Sequence, residues 1–385
     1  MSEANIPLPE LGQAVVESGG ETLYYCLQCG LCTASCPWRL VEGEISQEFN
    51  IRRLEHMAQL GLEGYEKENI LFACTTCNQC GVRCPREVKP VENIRVLRAL
   101  IAEAGSTPPA LRPVIGSLKS DGNPWQGERS KRLDWTEGLD VPRFGTDTEY
   151  LLFVCCTSCY DSRSRKIARA LVKVLQAAGV SFGIIGEEES CCGVSARKIG
   201  AEDTFQALAG ANIKLFAEHQ VRKIITTSPH CLWTLRNEYP ELGGDFEVIH
   251  YSELLAQLID SGRLQPSSKL PGRVTYHDPC YLGRHSEVFE APRRVLDAIS
   301  EERVELSRHD NNSICCGGGG GRIWLETPPG ERFGDLRVAD ARARGAGILA
   351  TACPYCTIML DASNMDEQAD ELHIKDIAEL LAECL

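Results

Sequence analysis

The periodicity of apolar positions changes at about residue 147 and separates two kinds of predicted structure. Before this point, two groups of apolar side chains recur at intervals of three and four residues. They are Ile51, Leu54, Met57 and Ala58, and then Val91, Ile94, Leu97, Leu100 and Ile101. This spacing places each group on one face of a helix. We therefore predict a mostly helical domain over residues 1–108.

After residue 147, short apolar runs alternate with longer helical segments. Strands are predicted at residues 150–154, 181–185, 223–227 and 246–249, with a helix at 163–178. This alternation is typical of an α/β fold with a parallel sheet. Residues 109–146 are rich in proline and glycine, which predicts an irregular linker. Trp125 and Trp135 indicate that this linker packs against the domains it joins.

Cysteine spacing shows that the α/β part is duplicated. A single cysteine, an adjacent pair and a later cysteine occur twice in the same order. The sets are Cys156, Cys191, Cys192 and Cys231, and then Cys280, Cys315, Cys316 and Cys356. The step from the single cysteine to the pair is 35 residues in both sets, and the period is about 124 residues. We predict two repeated modules, over residues 147–265 and 266–385.

Composition is ordinary except for its cysteines, which number 20 among 385 residues. Disulfides in such number suit small secreted domains, but the N-terminus has no basic stretch followed by an apolar run, so we expect a cytoplasmic protein. Runs of eighteen or more apolar residues are absent, so no direct membrane insertion is expected. A formal net charge of −14 argues against a nucleic-acid partner.

Two cysteine runs in the helical domain share the spacing C-x2-C-x2-C-x3-C-P. They are Cys26, Cys29, Cys32 and Cys36, and Cys74, Cys77, Cys80 and Cys84. In such runs three thiolates hold one [4Fe–4S] cubane, and the fourth ligates the other cluster. The predicted ligand sets are Cys26, Cys29, Cys32 and Cys84 for one cluster, and Cys74, Cys77, Cys80 and Cys36 for the other. Zinc also binds C-x2-C pairs but would not require this double, proline-terminated arrangement.

Each adjacent cysteine pair precedes a glycine, Gly193 or Gly317. Glycine permits backbone turns that bring both thiolates to one side, which suits a cluster of opened, noncubane type. A vicinal disulfide or two buried thiols is the alternative. Gly317 and Gly318 begin a glycine run that lacks the Lys-Ser or Lys-Thr of a phosphate loop. Close approach of its backbone amides to cluster sulfides explains the run better.

Together these motifs resemble the catalytic subunit family of heterodisulfide reductase, the HdrD-like proteins. The resemblance covers essentially the whole chain and implies an α+β multidomain protein. A helical two-cluster ferredoxin domain would precede two Rossmann-like Cys-Cys-Gly modules, here called CCG modules. The family's intact module holds one noncubane [4Fe–4S] cluster, at which a disulfide is cleaved. The implied ligands in this sequence are Cys280, Cys315, Cys316, Cys353 and Cys356.

The first CCG module departs from this pattern, because Ser228 stands where its twin has Cys353. Serine oxygen is a harder ligand than soft cluster sites prefer. Whether this module holds a fourth cluster therefore stays open. Cys159 is the candidate substitute ligand for the remaining set of Cys156, Cys191, Cys192 and Cys231. Cys155 and Cys384 have no counterpart in the repeat, so we expect them to be ordinary thiols.

His277 and His285 flank Cys280 and are candidate proton donors to a substrate thiolate, because imidazole titrates near neutral pH. Hydrogen-bonded structural roles are the alternative.

Three functions fit the sequence. The first is a redox enzyme subunit whose cubane clusters feed the noncubane site. The second is a pure relay, and the third is a redox sensor. The expected partners are other redox subunits: an HdrA-like flavoprotein, an electron-transfer flavoprotein or a membrane quinone-linked subunit.

Overall fold

The computed structural model describes residues 7–62, 64, 70–365 and 372–385. Its N-terminal domain is helical, as predicted. The helices are α1 Pro9–Glu17, α2 Leu31–Ser35, α3 Glu44–Glu48, α4 Ile51–Leu60 and α5 Pro90–Glu103. Helix α4 begins where the Asn50 side chain accepts a hydrogen bond from the Arg53 amide. It is followed by Gly61, which has a φ of 62°. A Cβ at this position would also collide with the Leu8 carbonyl, so the position requires glycine.

The linker packs against its neighbours, as predicted, but it is more ordered than its composition suggested. It contains helix α6, Arg112–Ser120, which begins with Pro113 in its first turn, where proline is tolerated. Trp135 is only 1% exposed. The Trp125 indole donates to Thr157 Oγ1 at 3.2 Å.

The first CCG module alternates strands and helices. Its elements are β1 Tyr150–Phe153, α7 Cys156–Tyr160, α8 Ser162–Ala177, β2 Phe182–Gly183, α9 Val194–Lys198, α10 Glu202–Glu218, β3 Lys223–Thr226, α11 Pro229–Trp233, β4 Glu247–His250 and α12 Tyr251–Asp260. The second module follows with β5 Leu270–Tyr276, α13 Glu290–Ile299, β6 Ser300–Val304, α14 Phe333–Ala343, β7 Ile348–Thr351, α15 Pro354–Met365, β8 His373–Asp376 and α16 Ile377–Glu383. Among the described residues, no helix is long and apolar enough to cross a membrane.

Both modules contain a parallel four-stranded sheet with the same connectivity. The strand orders are β2-β1-β3-β4 and β6-β5-β7-β8, which confirms the predicted duplication. In each sheet the two central strands end next to each other, at the point where the strand order reverses. Ligands bind at this edge in open parallel sheets. In both modules cysteines follow these two strands, and the adjacent cysteine pair follows the edge strand β2 or β6.

One buried arginine joins the helical domain to both CCG modules. All five N–H groups of Arg98 on α5 donate to main-chain carbonyls. Leu71 and Cys74 accept at 2.6–3.1 Å within the helical domain. Lys198 of the first module accepts at 2.7 Å, and Gly320 of the second at 3.0 Å. Burial lowers the pKa of Arg98 to about 10, so it stays charged at neutral pH.

We expect Arg98→Ala to lower the free energy of unfolding by about 3–5 kcal/mol, because it leaves buried carbonyls without their charged donor. Arg98→Lys should restore part of this loss, since lysine keeps the charge but not the five-donor fork. Arg112→Ala on the exposed face of α6 is the matched control. Anaerobic urea denaturation checks the prediction, and equal stability of the Arg98→Ala and Arg112→Ala chains would contradict it.

Candidate iron–sulfur sites

The first ferredoxin-type site lies at the protein surface. The cysteines predicted to share one cluster line a single pocket, and they are Cys26, Cys29, Cys32 and Cys84. Cys29 is exposed. The Cys26 sulfur accepts a hydrogen bond from the Gln28 amide at 3.4 Å. This cavity therefore offers four thiols, and one of them faces solvent.

The second ferredoxin-type site is buried deeper. Its pocket is lined by Cys36, Cys74, Cys77 and Cys80, the second predicted set. The Thr76 amide donates to the Cys74 sulfur at 3.3 Å. The Trp38 indole fixes the start of this loop by donating to the Ala73 carbonyl at 2.8 Å. In both cavities the fourth cysteine comes from the opposite run, because the two loops cross.

The second CCG site brings five buried sulfurs together. Cys280 Sγ lies 3.9 Å from Cys315 Sγ, and Cys316 Sγ lies 3.3 Å from Cys356 Sγ. Cys353 is in hydrogen-bond contact with Cys356. Hydrogen bonds from Cys315 and Cys356 hold the pKa of Cys316 well below its usual value. Metal binding requires thiolates of this kind.

Glycine amides point at these sulfurs. The Gly317 amide donates to Cys315 Sγ at 3.3 Å, and the Gly318 amide is in hydrogen-bond contact with Cys316. In the first module, Gly193 has a φ of 87° and its amide is in hydrogen-bond contact with Cys191. All twenty cysteines are free thiols. The adjacent pairs are therefore not vicinal disulfides in this structure.

The two candidate histidines have different surroundings. A ring nitrogen of His277 lies within 4.8 Å of the sulfurs of Cys316 and Cys356. Its Nδ1 accepts from Arg337 Nε at 3.3 Å, and its buried Nε2 has no hydrogen-bond partner among the described residues. His285 instead contacts the Thr76 carbonyl at 2.9 Å through Nε2. The structure thus places His277, but not His285, beside the sulfurs of the second CCG site.

The second ferredoxin-type site adjoins the second CCG site. The thiol of Cys315 lies close enough to that of Cys77 to raise the Cys77 pKa well above its usual value. Arg284 joins the two loops, because its Nε donates to the Cys77 carbonyl at 2.7 Å and its Nη1 to the Ser313 carbonyl at 2.6 Å. Its charge faces the thiols of Cys77, Cys280 and Cys315.

The glycine run after the cysteine pair makes this contact possible. A Cβ on Gly319 would collide with the Thr75 carbonyl, and one on Gly320 with the Cys74 carbonyl. The run was predicted to approach a cluster. The structure shows a further reason for it, which is backbone contact with the ferredoxin loop.

The first CCG site also gathers buried thiols. Cys192 Sγ lies 3.6 Å from Cys231 Sγ, and Cys156 is in hydrogen-bond contact with Cys191. Hydrogen bonds from Cys191 and Cys231 lower the pKa of Cys192 to about 6. Arg132 of the linker donates to Cys156 Sγ at 3.4 Å. A positive charge therefore faces this site, as it does in the second module.

Two further cysteines of the first module have surroundings that the sequence did not indicate. Cys159, the candidate substitute ligand, donates to the Val154 carbonyl at 3.7 Å. Cys155, expected to be an ordinary thiol, is in hydrogen-bond contact with Cys231 and with Ser228. The only sequence signal for Cys155 was its position next to Cys156. Such adjacency does not show which residues a side chain contacts.

Comparisons with known proteins agree with this architecture. The family model described as a 4Fe-4S dicluster domain matches residues 22–88. The model described as a cysteine-rich domain, CCG, matches twice, at residues 150–236 and 274–361. The chain is therefore an iron–sulfur protein with two CCG domains.

Three relatives illustrate what the chain is similar to. The probable iron-sulfur-binding oxidoreductase FadF of Bacillus subtilis is 38% identical over 82% of this chain and 46% of its own length. The EtfAB:quinone oxidoreductase of Syntrophomonas wolfei is 34% identical over 88% and 50%. The chain thus spans about half the length of these two relatives.

The third relative matches along nearly its full length. It is the HdrD-type subunit of the dihydromethanophenazine:CoB–CoM heterodisulfide reductase of Methanosarcina mazei, 30% identical over 94% of this chain and 93% of its own. An alignment of this extent includes both the ferredoxin-type domain and the CCG modules. The chain belongs to the HdrD-like family of iron–sulfur oxidoreductases.

Proposed function

We propose that this chain is an electron-transfer subunit that carries electrons from a flavoprotein to its second CCG site. Electrons enter at the site of Cys26, Cys29, Cys32 and Cys84. They cross to the site of Cys36, Cys74, Cys77 and Cys80, and then reach the noncubane site of Cys280, Cys315, Cys316, Cys353 and Cys356. The observation that carries the proposal is the junction of the two loops, where Arg284 donates to the Cys77 carbonyl at 2.7 Å and to the Ser313 carbonyl at 2.6 Å. This junction places the second ferredoxin-type site next to the second CCG site.

The donor sets fit the clusters that the route requires. Thiolates are the ligands of [4Fe–4S] clusters, and bound clusters would supply one-electron steps. The chain itself supplies burial, amide donors and positive charge. At the junction, the Arg284 guanidinium faces thiols of both sites. A fixed cation stabilises the more negative, reduced state of a neighbouring cluster, so Arg284 acts as a positioning and tuning residue.

We expect Arg284→Gln to lower the reduction potentials at the junction by on the order of 100 mV, or about 2 kcal/mol for one electron. The reduced state loses its nearby cation, whereas Arg284→Lys keeps the charge and should stay closer to the parent. Anaerobic redox titration monitored by EPR measures the shift. Arg112→Gln removes a distant, exposed charge as the control. Potentials that are unchanged in Arg284→Gln would contradict this role.

An apolar surface surrounds the first ferredoxin-type site. Its side chains are Tyr24, Tyr25, Leu27 and Leu31, with exposures of 52%, 54%, 70% and 49%. Large exposed apolar patches mark interaction sites. The exposed thiol Cys29 lies in the same loop as Leu27. We assign this surface to an electron-transfer flavoprotein, because the Syntrophomonas relative is an EtfAB:quinone oxidoreductase.

We expect the double variant Leu27→Asn/Leu31→Asn to slow reduction by electron-transfer flavoprotein roughly thirtyfold, since each leucine that the partner covers contributes about 1 kcal/mol. Iron content should not change. Leu385→Asn, at the exposed C-terminus, is the matched control. Stopped-flow absorbance follows the electron exchange. Equal rates for the double variant and the control would contradict the assignment of this surface to the flavoprotein.

Reductive cleavage of a disulfide is a second candidate function, and His277 favours it. Two electrons and two protons convert a disulfide to two thiols. A ring nitrogen of His277 lies within 4.8 Å of the sulfurs of Cys316 and Cys356. Burial lowers the His277 pKa well below its usual value, so the neutral ring would serve as a hydrogen-bond donor to a substrate sulfur through Nε2, which has no partner among the described residues. EPR of the oxidised chain with and without an added thiol separates the two functions. A thiol-dependent signal supports the reductase, and its absence supports the relay.

A further inference from the structure

We propose that Cys155 replaces the cysteine missing at position 228 and completes a five-thiol site for a fourth [4Fe–4S] cluster in the first CCG module. The ligands would be Cys155, Cys156, Cys191, Cys192 and Cys231. This inference rests on the proposed iron–sulfur function of the chain, but not on the route of its electrons.

Strand register is the first argument. In the first sheet, Phe153 of β1 pairs with Thr226 of β3. Two residues beyond this pair, position 155 therefore faces position 228 across the ends of adjacent parallel strands. The Cys155 amide donates to Thr227 Oγ1 at 2.8 Å, which holds the two chain ends together. The Cys155 thiol lies close enough to Cys231 and Ser228 for these groups to lower its pKa to about 6.

The second module has the equivalent pair of positions, but there the cysteine lies on the other strand end. Tyr276 of β5 pairs with Ala350 of β7, so Pro279 faces Cys353 as Cys155 faces Ser228. Each module thus has one cysteine at this pair of strand ends. In the second module it is in contact with Cys356, and in the first with Cys231, the equivalent residue. The cysteine therefore follows opposite strands in the two modules, but its thiol lies near the equivalent residue in each.

The other two candidates already have different contacts. Ser228 caps helix α11, because its hydroxyl oxygen accepts from the His230 amide at 3.3 Å. Cys159 donates to the Val154 carbonyl, within its own segment. The Cys155 thiol also donates within its own segment, to Thr157 Oγ1 at 3.6 Å, but strand register places Cys155, and not Cys159, opposite position 228. Cys155 is thus the thiol positioned to be the fifth ligand.

Charge around the site fits an anionic cluster. Arg132 is buried, donates to Cys156 Sγ at 3.4 Å and pairs with Glu189 at 3.2 Å. The guanidinium also donates to the Val154 carbonyl at 3.3 Å. Five thiolates in a buried site require such a cation, since unpaired buried charge is costly. The linker therefore supplies this module with the charge that Arg284 supplies in the second.

The two CCG sites are neighbours. Tyr355, next to Cys356, lies between them, and its hydroxyl is 3.2 Å from Ser195 Oγ. Its phenol interacts electrostatically with Cys155, Cys156 and Cys191. A cluster in the first module would therefore stand beside the end of the proposed route and could store a further electron.

Iron counting with Mössbauer spectroscopy on the full, anaerobically purified chain tests the proposal. We expect about 16 iron atoms per chain, at four per cluster. Cys155→Ala should lose about a quarter of them, and Cys159→Ala, which is also buried, should lose none. In Cys155→Ala/Ser228→Cys the cysteine returns to the position it holds in the second module, so the lost iron should reappear.

About 12 iron atoms in the parent chain, or a full complement in Cys155→Ala, would overturn the proposal. So would iron loss in Cys159→Ala with none in Cys155→Ala. Should Cys155→Ala fail to fold, the double variant carries the test, and its iron content must match that of the parent. About 8 iron atoms in the parent would instead contradict the proposed function itself, because the second CCG site would be without iron.

Discussion

Contact between the three regions of this protein depends on a buried guanidinium. Arg98 binds carbonyls of the helical domain, of the first module and of the second, and uses every donor it has. The loop that contains Cys74 is thereby held against the glycine run of the second module, with Gly319 and Gly320 in backbone contact with it. Fixed distances between sites follow from this arrangement, and electron transfer depends on them.

Arginines that no sequence motif identifies place a positive charge beside both CCG sites. Arg284 bridges the ferredoxin loop to the second CCG site, and Arg132 brings the linker to the first. Both guanidiniums are buried and contact main-chain carbonyls as well as sulfur-bearing residues. The linker is therefore part of a site as well as a connection between domains.

The sequence was sufficient to predict the features that repeat along the chain. Cysteine spacing predicted which thiols share each ferredoxin-type cavity, and the period of about 124 residues predicted two equivalent sheets. Features that depend on strand register could not be predicted in this way. Position 155 meets position 228 only because Phe153 pairs with Thr226. Helix α6 was missed because Pro113 suggested a loop, although proline fits a first helical turn.

Continuity between the ferredoxin-type domain and the second CCG site is the central claim, and magnetic interaction between their clusters tests it most directly. Clusters held at these two sites would lie within range of spin–spin coupling, because Arg284 joins the Cys77 loop to the Ser313 loop. Pulsed EPR of the partly reduced chain should show a coupled signal that disappears when Cys356→Ser removes the CCG cluster. Two independent signals in the parent chain, unchanged by this substitution, would contradict the account.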